Sequence, residues 1–353
     1  MLAAVTTAPH VIEVLQRPEP PPPRHGEVLL RPETVGICGS DFHIFTGEEA
    51  AMSGMDRAFP RVQGHEISAV VVAAGAGCPP ELTEGTRVAV WPLLACGRCY
   101  PCRVGRGTCC VNFRLVGVHI DGGLQELLTV PATQVFAAGD AAPGVVAFAE
   151  PTSVAVHALR RARVAAGEQV AVLGAGPIGQ ACAIAAADEG ACAMVIDPLA
   201  SRRDLALQAG ADAAEWGTPD EVAEKVRDWS GGGPAVVVDT TGDPAALGRA
   251  MEMVISAGRV VVVGMTGGAA PVRPGLLPVK EIDVLGSSCC DADDFAAAVA
   301  LVRRRAAAVA RLITDEFPLD DAAAAMARAM SRPQEVMKVT VAAAGRPAAP
   351  GGR

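Results

Sequence analysis

The sequence predicts an α/β protein of two domains, an irregular β domain joined to a doubly wound parallel sheet. Three observations carry this. At 353 residues the chain exceeds one comfortable hydrophobic core. Up to about residue 150 it reads as short β-rich segments broken by Gly and Pro clusters. From about residue 168, strands of near-continuous Val, Ile and Ala alternate with longer Ala-rich helical stretches, as in a parallel sheet covered on both faces.

Taken in order, EVLLRPETVGI (27–37), ISAVVVAAG (67–75) and TRVAVWP (86–92) are the strands of the first region, and PEPPPPR near residue 20 is a stiff connector. The second region opens with strand QVAVL, helix PIGQACAIAAADEGA, strand MVID and helix SRRDLALQAGA. Strands follow at PAVVVDTTG (234–242), GRVVVVGM (258–265) and EIDVLGS (281–287). A helix near DDFAAAVALVRRRAA and a final strand, VMKVTVAA, close the pattern, and the tail GRPAAPGGR is expected to be disordered.

Composition narrows the function. No uninterrupted apolar span is long enough to cross a bilayer, although half of the residues are hydrophobic. The start, MLAAVTTAPHVIEVLQRPEP, lacks the basic and apolar regions of an export signal. The eleven cysteines are an odd number, whereas a secreted chain would normally pair its thiols. These features place the protein in the cytosol and away from membranes. A net charge of −9, with 39 Asp and Glu against 30 Lys and Arg, argues against nucleic acid as a partner.

Four of the cysteines, Cys96, Cys99, Cys102 and Cys110, form C-x2-C-x2-C-x7-C. Four thiolates satisfy the tetrahedral preference of Zn²⁺ and leave no position for water, so this is a closed, structural site. The intervening Gly97, Pro101, Gly105 and Gly107 suit a loop wrapped on an ion. Disulfides are the competing reading, and Cys109 could ligate in place of its neighbour Cys110.

Gly174, Gly176 and Gly179 form G-x-G-x-x-G between the strand QVAVL and a helix opened by Pro177 and Ile178, the context of a dinucleotide-binding turn. The first glycine permits the tight turn, the second admits the pyrophosphate, and the third lets helix and strand pack. Asp197 ends the next strand, where a carboxylate bonds both ribose hydroxyls of NAD and repels a 2′-phosphate. NAD is therefore expected over NADP. Arg202 and Arg203 could contact an adenosine phosphate instead if Asp197 pointed away.

A separate constellation lies in GICGSDFHIF (36–45), RVQGHEISA (61–69) and AEPTSVAVHAL (149–159). Cys38 and His65, with Glu150 as a third ligand, could hold a second zinc with one position open. An open zinc with a nicotinamide implies alcohol chemistry. On these three signatures the chain resembles the zinc-dependent medium-chain alcohol dehydrogenases over nearly its full length, and Glu150 in E-P-x-x-x-A-x-H-A is similar to the sorbitol, threonine and sugar-acid branch.

The resemblance implies a GroES-like β domain of residues 1–151 and 288–353, with its zinc lobe at about 93–113, and a Rossmann domain of residues 152–287. It implies two zinc ions and NAD. Zinc at Cys38, His65 and Glu150 would lower the pKa of an alcohol so that hydride can leave for the nicotinamide. Ser40 would pass the released proton to His43, and Asp41 would orient His65. Glu66 would stand beside the ligands, able to replace one, and Lys338 would sit near the pyrophosphate. His157 is expected to be a packing residue, and His119 either lines a cleft or closes a turn.

The substrate expected from the resemblance is a small polar alcohol: polyol, sugar, cyclitol or sugar acid. Where sugar-acid relatives carry Arg and Asn, this chain has Ser288 and Cys289, which favours a neutral polyol because a carboxylate would lack its charged fork. A threonine or simple alcohol dehydrogenase is the alternative. A zinc-free quinone or enoyl reductase and a non-enzymatic relative share the fold but do not need Cys38, His65 and Glu150. The family's habit of pairing dinucleotide sheets implies a homodimer or homotetramer.

Overall fold

The structure is a computed structural model that describes residues 1–47, 59–265, 268–331 and 334–343. The tail GRPAAPGGR lies outside the described residues. The chain forms two compact units, Met1–Glu150 with Val302–Ala306 and Ile313–Arg353, and Pro151–Leu301 with Ala307–Leu312. The chain touches the first unit at Val302–Ala306 and returns to it for good at Ile313. The helix Ala292–Arg304 stays with the second unit up to Leu301, its buried Phe295, Ala298, Val299 and Leu301 included.

The first unit is built on a sheet in the order Val135–Ala137, Arg87–Val90, Glu66–Ala74, Glu27–Gly36, Lys338–Ala342 and Ile313–Pro318, with Leu128–Pro131 also paired to Glu27–Gly36. Its pairs are antiparallel except the last, between Ile313–Pro318 and Lys338–Ala342. Alternating burial along Glu27–Gly36 places Val28, Leu30 and Val35 in the core. An N-terminal hairpin, Leu2–Ala8 and Val11–Gln16, and the short strand Arg61–Val62 make a smaller sheet that the sequence pattern does not announce. A two-residue pair, Leu93–Leu94 with Arg114–Leu115, closes the base of the four-cysteine loop.

The second unit is a six-stranded, all-parallel sheet in the order Ala213–Glu215, Cys192–Ile196, Gln169–Leu173, Val236–Asp239, Arg259–Val262, Asp283–Gly286. Numbered along the chain, this is 3-2-1-4-5-6, the order in which ligands bind at the strand ends where the winding reverses. The central strands are apolar on both faces, with Val170, Val172, Val237 and Val260 fully buried, because helices cover both sides. Among the described residues no helix is long and apolar enough to cross a membrane.

Candidate active site

In the first unit the ends of three adjacent strands meet. Gly36 pairs with Glu66 on one side and Thr340 on the other, both antiparallel. The strand Glu27–Gly36 therefore ends where its two neighbours begin, which brings together Cys38 just beyond it, His65 and Glu66 at the start of one neighbour, and Lys338 at the start of the other. Ligand atoms of Cys38, His65 and Glu66 lie within 4.8 Å of one another. Glu150, in the first turn of the helix Ala149–Arg161, is close enough for its carboxyl to feel His65, Glu66, Lys338 and Asp41. Burial pushes Glu150 up to about 7, with His65 opposing.

Lys338 has partners in the first unit that its motif does not reveal. Its Nζ donates to Glu66 Oε1 at 2.6 Å and to the Ile37 carbonyl at 3.1 Å, and the residue is only 4% exposed. A buried ammonium committed to a carboxylate and a carbonyl anchors Glu66. Burial works against its charge, but Glu66 and Cys38 more than offset this and raise its pKa. Glu66 reaches across Gly36, where a Cβ would stand 1.9 Å from Glu66 Oε2, so a larger residue there would displace the Glu66 carboxylate. No signal in the sequence links Glu66 to a lysine 272 residues away.

His65 Nε2 is 3.5 Å from Ser40 Oγ, and its Nδ1 is 3.8 Å from Asp41 Oδ1, too long for a hydrogen bond. Asp41 faces the ring as expected, but its bonds are to the Cys38 N–H, at 2.9 Å, and to Gln63 Nε2, at 3.3 Å. Burial lifts the Asp41 carboxyl while His65 opposes. For His65 burial disfavours the charge, yet Asp41 and Cys38 prevail and hold it well above the ordinary value. His43 lies one turn beyond Ser40 on the helix Gly39–Thr46.

These residues fit a metal ion. Three carboxyls and a thiol face Lys338 and His65, and both His65 Nδ1 and Glu66 Oε2 are buried without a hydrogen-bond partner. With Nδ1 turned to Asp41, Nε2 is the ring atom left for the ion. Three protein donors of mixed S, N and O character are the kind of set that an open zinc site uses.

The four-cysteine loop is closed. Cys96, Cys99, Cys102 and Cys110 offer sulfurs within 4.8 Å of one another. Cys99 Sγ is 3.4 Å from that of Cys102 and 3.8 Å from that of Cys110, close to the ~3.8 Å edge of a tetrahedron with Zn–S bonds of about 2.3 Å. None of the eleven cysteines is in a disulfide. Cys109 is exposed, so Cys110 is the fourth member. Backbone N–H groups of Arg98 and Cys99 bring Cys96 down to about 6, whereas desolvation beside the other thiols pushes Cys102 up to about 12. Thiols crowded in this way cannot all ionise without a cation. His119 closes a turn at the base of the loop, accepting the Leu115 N–H at Nδ1 and meeting Phe113 edge-on.

In the second unit a cavity of about 520 Å³ opens at the strand ends, lined by Gly174, Gly176, Asp197, Arg202, Trp216 and Thr240 among others. Gly174 has φ +91, and a Cβ on Gly179 would stand 1.9 Å from the Gly174 carbonyl, which is the close helix–strand packing the motif requires. Gly176 caps the helix Pro177–Asp188, with Pro177 and Ile178 in its first turn. Asp197 accepts the N–H groups of Ala175 and Leu199, each at 2.8 Å, and Arg202 lies 3.8 Å away. Sequence reasoning missed Trp216 and Thr240; that Thr240 follows directly on the strand Val236–Asp239 was the available signal.

Two family descriptions match the chain, an alcohol dehydrogenase GroES-like domain over residues 24–140 and a zinc-binding dehydrogenase over residues 177–304. The L-galactonate-5-dehydrogenase of Escherichia coli K12 is 33% identical over 326 residues, covering 92% of this chain and 94% of that protein. The alcohol dehydrogenase RspB of E. coli CFT073, solved with NADH, has a TM-score of 0.87 at 28% identity, covering 97% of this chain and 99% of that one. A zinc-binding dehydrogenase of Sinorhizobium meliloti 1021 bound to NADP has a TM-score of 0.87 at 29% identity, covering 97% and 98%. With both sulfur-bearing sites and the glycine turn in place, the chain belongs to the zinc-dependent medium-chain alcohol dehydrogenases.

Proposed function

We propose that this protein oxidises a secondary hydroxyl of a small polyhydroxy compound to the ketone, with NAD accepting the hydride and one zinc held by Cys38, His65 and Glu150. The observation that carries this is the convergence of Cys38, His65 and Glu66 at three strand ends beside Glu150. A zinc ion there supplies Lewis acidity that makes an alcohol easier to deprotonate. Ser40, near the Nε2 side of His65, takes the hydroxyl proton and passes it toward His43. Lys338 anchors Glu66 near the ligands, available as an alternative donor. Asp197, at the rim of the dinucleotide cavity, receives the ribose hydroxyls.

The galactonate relative points to polyhydroxy substrates, and the neutral Ser288 and Cys289 favour a polyol over a sugar acid. The test is a panel of polyols, sugar acids, threonine and simple alcohols with NAD and with NADP, followed by absorbance of the reduced nicotinamide. Turnover of neutral polyols with NAD is expected, and Asp197→Ser should weaken NAD relative to NADP. Absence of any NAD- or NADP-linked oxidation by zinc-replete protein would reject the reading.

We place the protein in the cytosol, in keeping with cysteines that form no disulfide. It is read as a homodimer or homotetramer joined at the edge strand Asp283–Gly286, which is largely exposed. Gel filtration should give at least twice the 35.9 kDa chain mass, and a monomer would exclude this.

A further inference from the structure

The helix Ala149–Arg161 carries Glu150 in its first turn and then Ser153, His157 and Arg160. At 3.6 residues per turn, positions three, seven and ten residues beyond Glu150 fall on one face. The later three are all tied to one short stretch, Cys290–Asp294, at the start of the helix Ala292–Arg304. Ser153 Oγ donates to Cys290 Sγ at 2.9 Å. His157 Nδ1 lies 2.5 Å from Asp294 Oδ2, and Arg160 donates to Asp294 Oδ1 at 2.6 Å.

Asp294 is itself fixed. It is 1% exposed, and its N–H donates to Asp291 Oδ1 at 2.9 Å while the Asp291 N–H faces Asp294 Oδ2 at 3.5 Å, a reciprocal cap on the helix start. His157, Asp291 and Asp294 have ligand atoms within 4.8 Å, but the Arg160 guanidinium and the His157 ring already occupy both oxygens of Asp294. The cluster is a closed ion pair and not a cation cage. None of these residues lines the dinucleotide cavity or contributes to the ligand set at Cys38 and His65.

We propose that Asp294 is a positioning residue for Glu150: by gripping His157 and Arg160 it sets the rotation of the helix that presents the Glu150 carboxylate to the metal. This rests on the reading of an open zinc site given above. A helix transmits rotation along its length because its turns are hydrogen-bonded in series. A rotation of about 10° displaces a carboxylate ~6 Å from the helix axis by about 1 Å, whereas a functional site tolerates only about 0.5 Å. Exposed loop contacts could not hold that tolerance; a buried aspartate accepting from two side chains can.

The experiment uses full-length protein, stripped of metal and rebuilt with Co²⁺, and reads metal per chain, affinity at the weaker site and the visible spectrum of that site. Asp294→Ala should weaken the open site about tenfold or more and shift its cobalt spectrum, with the four-cysteine site still filled. Asp294→Asn, which can still accept from Arg160, should lose less. Arg160→Gln removes one tie at a half-exposed side chain, so it should stay folded and give a smaller shift of the same kind. In a Glu150→Ala background, Asp294→Ala should add nothing. An unchanged affinity and spectrum in Asp294→Ala, or a full additional loss in the Glu150→Ala background, would overturn the proposal. Wild-type protein holding one metal per chain would overturn the open-site reading itself, and the proposal with it.

Discussion

His65→Ala should leave one zinc per chain and cut kcat/KM by about 10³-fold or more, with dinucleotide binding intact. The ring is 5% exposed just ahead of the Glu66–Ala74 strand, whose first residue is fixed by its pairing with Gly36. Its loss removes the one nitrogen donor among Cys38, His65 and Glu66 and leaves a thiol and a carboxyl of that group to hold the ion. Lewis-acid activation is worth several kcal/mol, and each ~1.4 kcal/mol is a factor of ten in rate. Dinucleotide binding should persist because Gly174, Gly176 and Asp197 lie in the other compact unit. Metal analysis, initial rates and NAD titration check this, and two zinc ions with full activity would refute the site.

The same titration has a predictable pH dependence. With Glu150 pushed up to about 7 in the metal-free chain, binding must displace its proton near neutrality. Metal uptake at the open site should therefore release protons and weaken as the pH falls below about 7. Uptake that is flat across that range would mean Glu150 does not bind.

Cys99→Ser should have the opposite signature: loss of the other zinc, a lower melting temperature and a tendency to aggregate, with hydride-transfer residues untouched. Cys99 lies at 3.4 and 3.8 Å from two other sulfurs, so its removal opens the cage. Structural zinc contributes on the order of 10 kcal/mol in small zinc modules. Released from the ion, the loop would present Tyr100, Val104 and Val111, which are already exposed, in an uncontrolled arrangement. Thermal unfolding with and without chelator measures this. A Cys99→Ser protein that stays folded and active with one zinc fewer would show that the lobe is dispensable.

Local features were legible in the sequence. The parallel strands announce themselves because burial on both faces demands unbroken apolar runs, as in Val170–Leu173 and Val236–Val238. The cysteine loop and the glycine turn are legible because their spacing is itself the geometry. What could not be read depends on register and on distant pairing. That Gly36 sits opposite Glu66, that Glu66 meets Lys338, and that His157 meets Asp294 137 residues away are consequences of which strands and helices become neighbours. The N-terminal hairpin escaped notice because its outer strand, Val11–Gln16, is mostly exposed, and its turn uses His10 at φ +63 where glycine would have flagged it. The Glu66 partner of Lys338 is hidden for the same reason, since a basic residue in a motif does not say which anion it will meet.

The base of the four-cysteine loop is only the two-residue pairing of Leu93–Leu94 with Arg114–Leu115. No strand of the main sheet runs through the loop, so its metal requirement is a separable trait. A chain could exchange everything between Leu94 and Arg114 for a short turn and keep the register that unites Cys38, His65 and Glu66. Dependence on zinc for durability and dependence on zinc for chemistry can therefore be gained or lost one without the other.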